Sequence, residues 1–89
     1  MPKNLIWTHA AWEDDLFWQT QDKRTLKRIN TLINAIKRDP FEGIGEPEPL
    51  RANLSGYWSR KIDHKNRLVY AVEDKTIVLI ACRFHYDDT

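Results

Sequence analysis

Arg67-Leu68-Val69-Tyr70-Ala71-Val72-Glu73-Asp74-Lys75-Thr76-Ile77-Val78-Leu79-Ile80-Ala81-Cys82 is the stretch that decides the fold. Two runs rich in β-branched and aliphatic residues flank Asp74-Lys75, which reads as a tight turn. So short a connection requires antiparallel pairing. The second run, continued to Phe84, is apolar on both faces, which predicts an interior strand with helices covering one side. Working backward, His64-Lys65-Asn66 reads as a turn and Tyr57–Ile62 as a strand. Asn53-Leu54-Ser55-Gly56 reads as a further turn and Leu50–Ala52 as a short strand. The C-terminal half is thus read as a meander.

The N-terminal half reads as helical. Leu26, Ile29, Leu32, Ile33 and Ile36 recur at helical spacing, which predicts an amphipathic helix from an N-cap at Asp22 to about Arg38. Asp39-Pro40 ends it, because the residue before proline is steered away from helical angles. An earlier helix opens at Thr8, with Trp12, Leu16 and Phe17 as its expected apolar side. Glu13, Asp14 and Asp15 are expected near its positive end. Asn4–Thr8 reads as a first strand. The expected fold is α+β, with two N-terminal helices packed on a twisted antiparallel sheet, in the order β-α-α-β-β-β-β. Residues 1–89 form one domain on this reading.

Composition narrows the class. The chain is 42% hydrophobic and 30% charged, as a soluble globular protein is. Four tryptophans suit a small, aromatic-rich core. Cys82 is the sole cysteine, which excludes an internal disulfide and fits a reducing cytoplasm. Its apolar setting reads as a small buried hydrophobe rather than a nucleophile. No apolar run approaches the ~20 residues of a membrane span, and no signal peptide is visible, so a cytoplasmic protein is expected. The net charge of +1 hides an asymmetry. Residues 48–86 carry seven cations against four anions, an electropositive half that attracts polyanions.

Three segments combine order with polarity. Glu48 stands between Pro47 and Pro49, on a stem whose backbone is restricted. Arg67 opens a strand. The last strand gives way to Arg83-Phe84-His85-Tyr86. A carboxylate, a guanidinium and an imidazole suffice for acid–base cleavage of RNA by its own 2′-hydroxyl. Glu48 suits the base and His85 the acid, carboxylate and imidazole being the residue types that commonly carry general acid–base catalysis. Arg67 suits the charge that develops on phosphorus. Tyr86 can stack on a base or position the phosphate, while Arg51, Lys61 and Arg83 can hold flanking phosphates. Each position alone has a plain structural explanation: a solvated loop carboxylate, an edge cation, a terminal histidine. His9 and His64 read as surface residues. No cluster has metal-ligand spacing, and neither a phosphate-cradling glycine loop nor a serine elbow is present.

Strand register decides whether the segments can meet. If Arg67 lies opposite Arg83 it shares a face with His85; if it lies opposite Cys82 it does not. A working site requires the first register, or a bulge or bend that restores it.

Five strings in order carry a resemblance: Pro40-Phe41-Glu42-Gly43, Pro47-Glu48-Pro49-Leu50, Asn53–Arg60, His64–Tyr70 and Cys82–Tyr86. The sequence resembles the YoeB family of bacterial toxin–antitoxin toxins, within the wider RelE/ParE superfamily, from about Leu5 to Tyr86. The resemblance implies a ribosome-dependent endoribonuclease that cuts mRNA in the ribosomal A site and needs no cofactor. It implies Glu48 as general base, Arg67 as transition-state arginine, His85 as general acid and Tyr86 as the tyrosine closing the site. Arg51 stands where the family often has lysine, and Lys61 where it often has arginine. A YefM-like antitoxin, operator DNA reached only through the antitoxin complex, and a homodimer are the further implied partners. Two other readings stay open. ParE-like relatives inhibit gyrase and lack the catalytic set, and a non-enzymatic nucleic-acid-binding module would use the basic half for phosphates alone.

Overall fold

The computed structural model describes residues 4–84. Strand β1 (Asn4–Trp7) leads into helices α1 (His9–Gln21) and α2 (Lys23–Arg38). Strands β2 (Glu48–Pro49), β3 (Tyr57–Lys61), β4 (Arg67–Glu73) and β5 (Thr76–Ala81) follow, with a 3₁₀ turn at Ala52–Leu54. They form one five-stranded sheet in the order β1-β5-β4-β3-β2. The meander is antiparallel as its short turns require. β1, however, pairs with β5 in parallel, Leu5 opposite Ile77 and Trp7 opposite Leu79. The sheet is therefore mixed, because both helices intervene between β1 and the meander and leave the direction of that pairing free.

Polar side chains set the helix ends. Thr8 accepts the Ala11 N–H at 3.1 Å, capping α1, and its hydroxyl donates to the Ile80 carbonyl at 3.0 Å. Asp22 separates the helices. Its N–H donates to the Trp18 carbonyl, ending α1, while its carboxylate accepts from Arg24 and Thr25, opening α2. Hydrogen bonding by Thr25 holds the Asp22 carboxyl below its usual range.

The core lies between α2 and one sheet face. Ile29, Leu32, Ile33 and Ile36 meet Leu68, Tyr70, Ile77, Leu79 and Cys82, and Trp7, Trp18 and Trp58 lie in or against this cluster. The α2 stripe is as its spacing predicts, except that Leu26 is only partly buried. α1 differs. Its buried residues are Ala11, Asp15 and Trp18, and of its expected apolar side Phe17 packs against the core while Trp12 and Leu16 are exposed. No acidic residue lies in its first turn, so Glu13, Asp14 and Asp15 do not complement its dipole. Asp15 instead accepts from Gln19, and Asp14 accepts the Cys82 N–H at 2.9 Å.

Two strand boundaries also differ from expectation. The segment Leu50–Ala52 is not a strand. Pairing falls at Glu48–Pro49, opposite Ser59 and Trp58, on the sheet edge where a proline's missing N–H is tolerated. β5 ends at Ala81 rather than Phe84. The Cys82 N–H goes to Asp14 and its carbonyl accepts Trp18 Nε1–H at 2.8 Å, so α1 takes the groups that a sheet partner would need.

Candidate active site on the face opposite the helices

The register across four strands builds the site. Trp58, Arg60, Leu68 and Tyr70 point toward the helices, so Ser59, Lys61, Arg67 and Val69 occupy the opposite face. Glu48 pairs with Ser59 and shares that face. Arg67 lies directly opposite Lys61. The result is one contact: Arg67 Nη1 is 3.1 Å from Glu48 Oε1. The same Nη1 donates to Ser59 Oγ at 3.4 Å. The arginine side chain is 17% exposed and the glutamate 55%, so the cation is embedded and the carboxylate faces solvent.

The β4–β5 hairpin carries a register shift. From Glu73–Thr76 to Tyr70–Leu79 the pairing would bring Arg67 opposite Cys82. A shift between Val69 and Tyr70 then places Val69 opposite Ala81, where β5 and the pairing end. The last described residues stay beside Arg67. The Phe84 carbonyl accepts the Arg67 N–H at 2.9 Å, and the Phe84 N–H donates to Asn66 Oδ1 at 2.7 Å. His85 and Tyr86 lie outside the described residues.

The flanking cations divide. Lys61 sits beside Arg67 with its Nζ 3.6 Å from Glu46 Oε2, an exposed pair of the kind worth no more than about 1 kcal/mol. A phosphate can displace such a partner. Arg51 is exposed, at the entry to the 3₁₀ turn that follows β2. Arg83 is placed otherwise. Its guanidinium stacks 3.5 Å from the ring centroid of Phe17 on α1 and 4.5 Å from that of Phe84, which ties it to the helical layer.

Other polar residues shape the site without having stood out in the sequence. Arg60 is fully buried on the core face of β3. Asp63 closes the β3–β4 turn by accepting from the N–H groups of Lys65 and Asn66 and from the Asn66 amide. Burial pushes the Asp63 carboxyl up, but these hydrogen bonds outweigh it and hold the group below its usual value. Tyr70 is pushed up by burial despite its contact with Arg60. Cys82 is pushed up to about 12 by burial, with Asp14 and Asp15 adding to it, so its thiol stays protonated. Among the described residues no group of His, Cys, Asp and Glu could hold a metal ion, and no helix is long and apolar enough to cross a membrane.

Comparison with known proteins converges on one family. Residues 7–86 match the sequence model described as a YoeB-like toxin of bacterial type II toxin-antitoxin systems. Toxin YoeB of Synechocystis is 58% identical over 82 residues, which cover 92% of this chain and 95% of that protein. The YoeB dimer of Staphylococcus aureus superimposes with a TM-score of 0.89 at 44% identity, covering 97% of this chain and 100% of that one. A heterotetrameric YoeB–YefM toxin–antitoxin complex from the same organism gives 0.86 at 44% identity, with the same coverage.

Proposed function

The chain belongs to the family of YoeB-like toxins of bacterial type II toxin–antitoxin systems, and from that premise we propose that it is an endoribonuclease cutting mRNA in the ribosomal A site. The observation that carries this reading is the Glu48–Arg67 contact on the face opposite the helices, with the chain leading to His85 running alongside Arg67. A carboxylate at 55% exposure can reach a ribose hydroxyl. The guanidinium beside it has five N–H donors, more than its described contacts engage, and these remain to bind phosphate.

In the proposed reaction Glu48 removes the 2′-hydroxyl proton, and O2′ attacks the adjacent phosphorus. The P–O5′ bond breaks, leaving a 2′,3′-cyclic phosphate. His85 gives its proton to the departing O5′. Arg67 offsets the extra negative charge on the pentacoordinate phosphorus, held in place by Ser59 and by the strand it starts. Tyr86 closes the site against the base, while Arg51 and Lys61 hold neighbouring phosphates. Arg83, stacked on α1, contributes through the placement of its segment more than by direct contact. Both proton transfers are made by side chains of this chain, and the attacking oxygen comes from the RNA.

Work in the ribosomal A site makes the protein cytoplasmic. Its cognate antitoxin is YefM-like, as in the S. aureus complex, operator DNA is reached through that complex, and a homodimer is the further assembly. The test is cleavage in a purified translation system with mapped RNA ends. Each of Glu48→Ala, Arg67→Ala and His85→Ala is expected to slow cutting by at least about 100-fold, and wild type to cut only with ribosomes. Absence of cleavage by folded wild type would sink the nuclease reading and turn attention to gyrase or to binding alone.

A further inference from the structure

We infer that Arg60 and Tyr70 are positioning residues for Glu48, clasping the loop that precedes it so that the carboxylate meets Arg67 in one fixed register. The inference rests on the reading of Glu48 as general base.

Arg60 is an anomaly by composition: a cation at full burial, in a strand, facing the core. Such a charge persists only when its donors are satisfied. Here backbone carbonyls and one phenol satisfy it. Nη2 donates to the carbonyls of Asp39 at 2.6 Å and Glu42 at 3.0 Å, and Nη1 to that of Ile44 at 3.0 Å. Nε donates to Tyr70 Oη at 3.2 Å. The Tyr70 hydroxyl in turn donates to the Pro40 carbonyl at 2.6 Å. Two core side chains on adjacent strands therefore hold four carbonyls of one loop.

Apart from this clasp, the loop is fixed by the buried Pro40, by Phe41, whose ring centroid lies 5.0 Å from that of Trp58, and by the Phe41 N–H donating to the Asp39 carboxylate. Its large apolar residues Phe41 and Ile44 are 48% and 44% exposed. Gly43 comes so close that a Cβ would lie 3.1 Å from Arg60 Nη1. The guanidinium thus adds a polar anchor at the centre of the loop. Three consecutive residues of β3 then relay this order to the base. Arg60 holds residues 39–44, the Lys61 N–H donates to the Gly45 carbonyl, and Ser59 pairs with Glu48. Only Glu46 and Pro47 separate the clasped loop from the carboxylate, and β2 itself is two residues long. Such a strand sets no register unaided; the clasp fixes it from the N-terminal side, as buried Leu50, whose N–H donates to the Tyr57 carbonyl at 2.9 Å, fixes it from the other.

Tyr70→Phe tests this, because it keeps the ring in the core and removes both hydrogen bonds. In single-turnover cleavage on programmed ribosomes, Tyr70→Phe is expected to lose on the order of tenfold to a hundredfold in rate with little change in KM, as a misplaced base does. The deciding measurement is the double-mutant cycle with Glu48→Gln. A residue acting through Glu48 adds no further loss once Glu48 is gone, whereas a general loss of fold adds its full effect. Arg60→Lys, which keeps the charge but not the fork, is expected to behave as Tyr70→Phe does. Amides of residues 42–48 should exchange faster in both variants while α2 amides do not. Additive losses, or variants that cut at the wild-type rate, overturn the positioning role alone. A folded wild type that cuts nothing overturns the nuclease reading, and this role with it.

Discussion

Gly45 adopts φ +85°, and a Cβ there would lie 2.7 Å from Leu32 Cδ2 and 3.1 Å from the Arg60 Cβ. Both backbone strain and overlap oppose any side chain. Gly45→Ala is expected to destabilise the fold by about 1–3 kcal/mol, read as a lowered urea midpoint at unchanged slope. Cys82 makes the complementary case. Its thiol is buried against the Ala11 carbonyl and titrates only near about 12. Iodoacetamide at pH 8 is expected to leave the native protein unlabelled and to label it fully in denaturant; rapid native labelling would contradict the burial. The two positions differ in legibility. An apolar neighbourhood announces a buried cysteine. Arg60 is only one of the seven cations of residues 48–86 in the sequence, because three of its partners are carbonyls 16 to 21 residues earlier, and a carbonyl has no letter in the sequence.

Elements were legible where one local rule governed them. The α2 stripe obeyed helical periodicity, and the meander obeyed its short turns. α1 did not, since an aspartate and an alanine occupy its buried face while Trp12 and Leu16 face outward. Thr8 shows what holds such a helix. One hydroxyl caps α1 and ties it to β5, far along the chain. Thr8→Ala is expected to cost about 1 kcal/mol, within a usual range of about 0.5–2 for cap loss, and Thr8→Ser much less; chemical denaturation checks both. The site itself was half legible. Residue types and family strings singled out Glu48 and Arg67, but their meeting depends on β2 pairing with β3 two residues earlier than expected. The β4–β5 hairpin shifts register between Val69 and Tyr70, although no residue in Val69–Ala81 signals it beforehand.

For the molecule as a whole, acid should act through carboxylates with opposed shifts. Asp22 and Asp63 are held below their usual value in the fold, so the stability they provide is present above the unfolded value of 3.8 and is lost as pH falls through their folded values. Asp14 is the reverse. Burial raises it above 3.8, against the Cys82 N–H and the Arg83 charge that lower it. Its contribution is fully present below 3.8 and is lost as pH rises through the folded value, so at neutral pH its ionised form is a burden. Asp14→Asn keeps an oxygen to accept the Cys82 N–H and removes the buried charge. The variant should therefore unfold at higher urea concentration than wild type at pH 7, and that advantage should shrink toward pH 3, where wild-type Asp14 is neutral. An advantage that stays constant with pH would mean that the substitution acts through packing and not through the charge. The same titration bears on function, because Asp14 holds the chain as it leaves β5 toward His85. If that grip matters only as a hydrogen bond, Asp14→Asn should cut RNA at close to the wild-type rate at pH 7 while Asp14→Ala, which loses the acceptor, cuts more slowly.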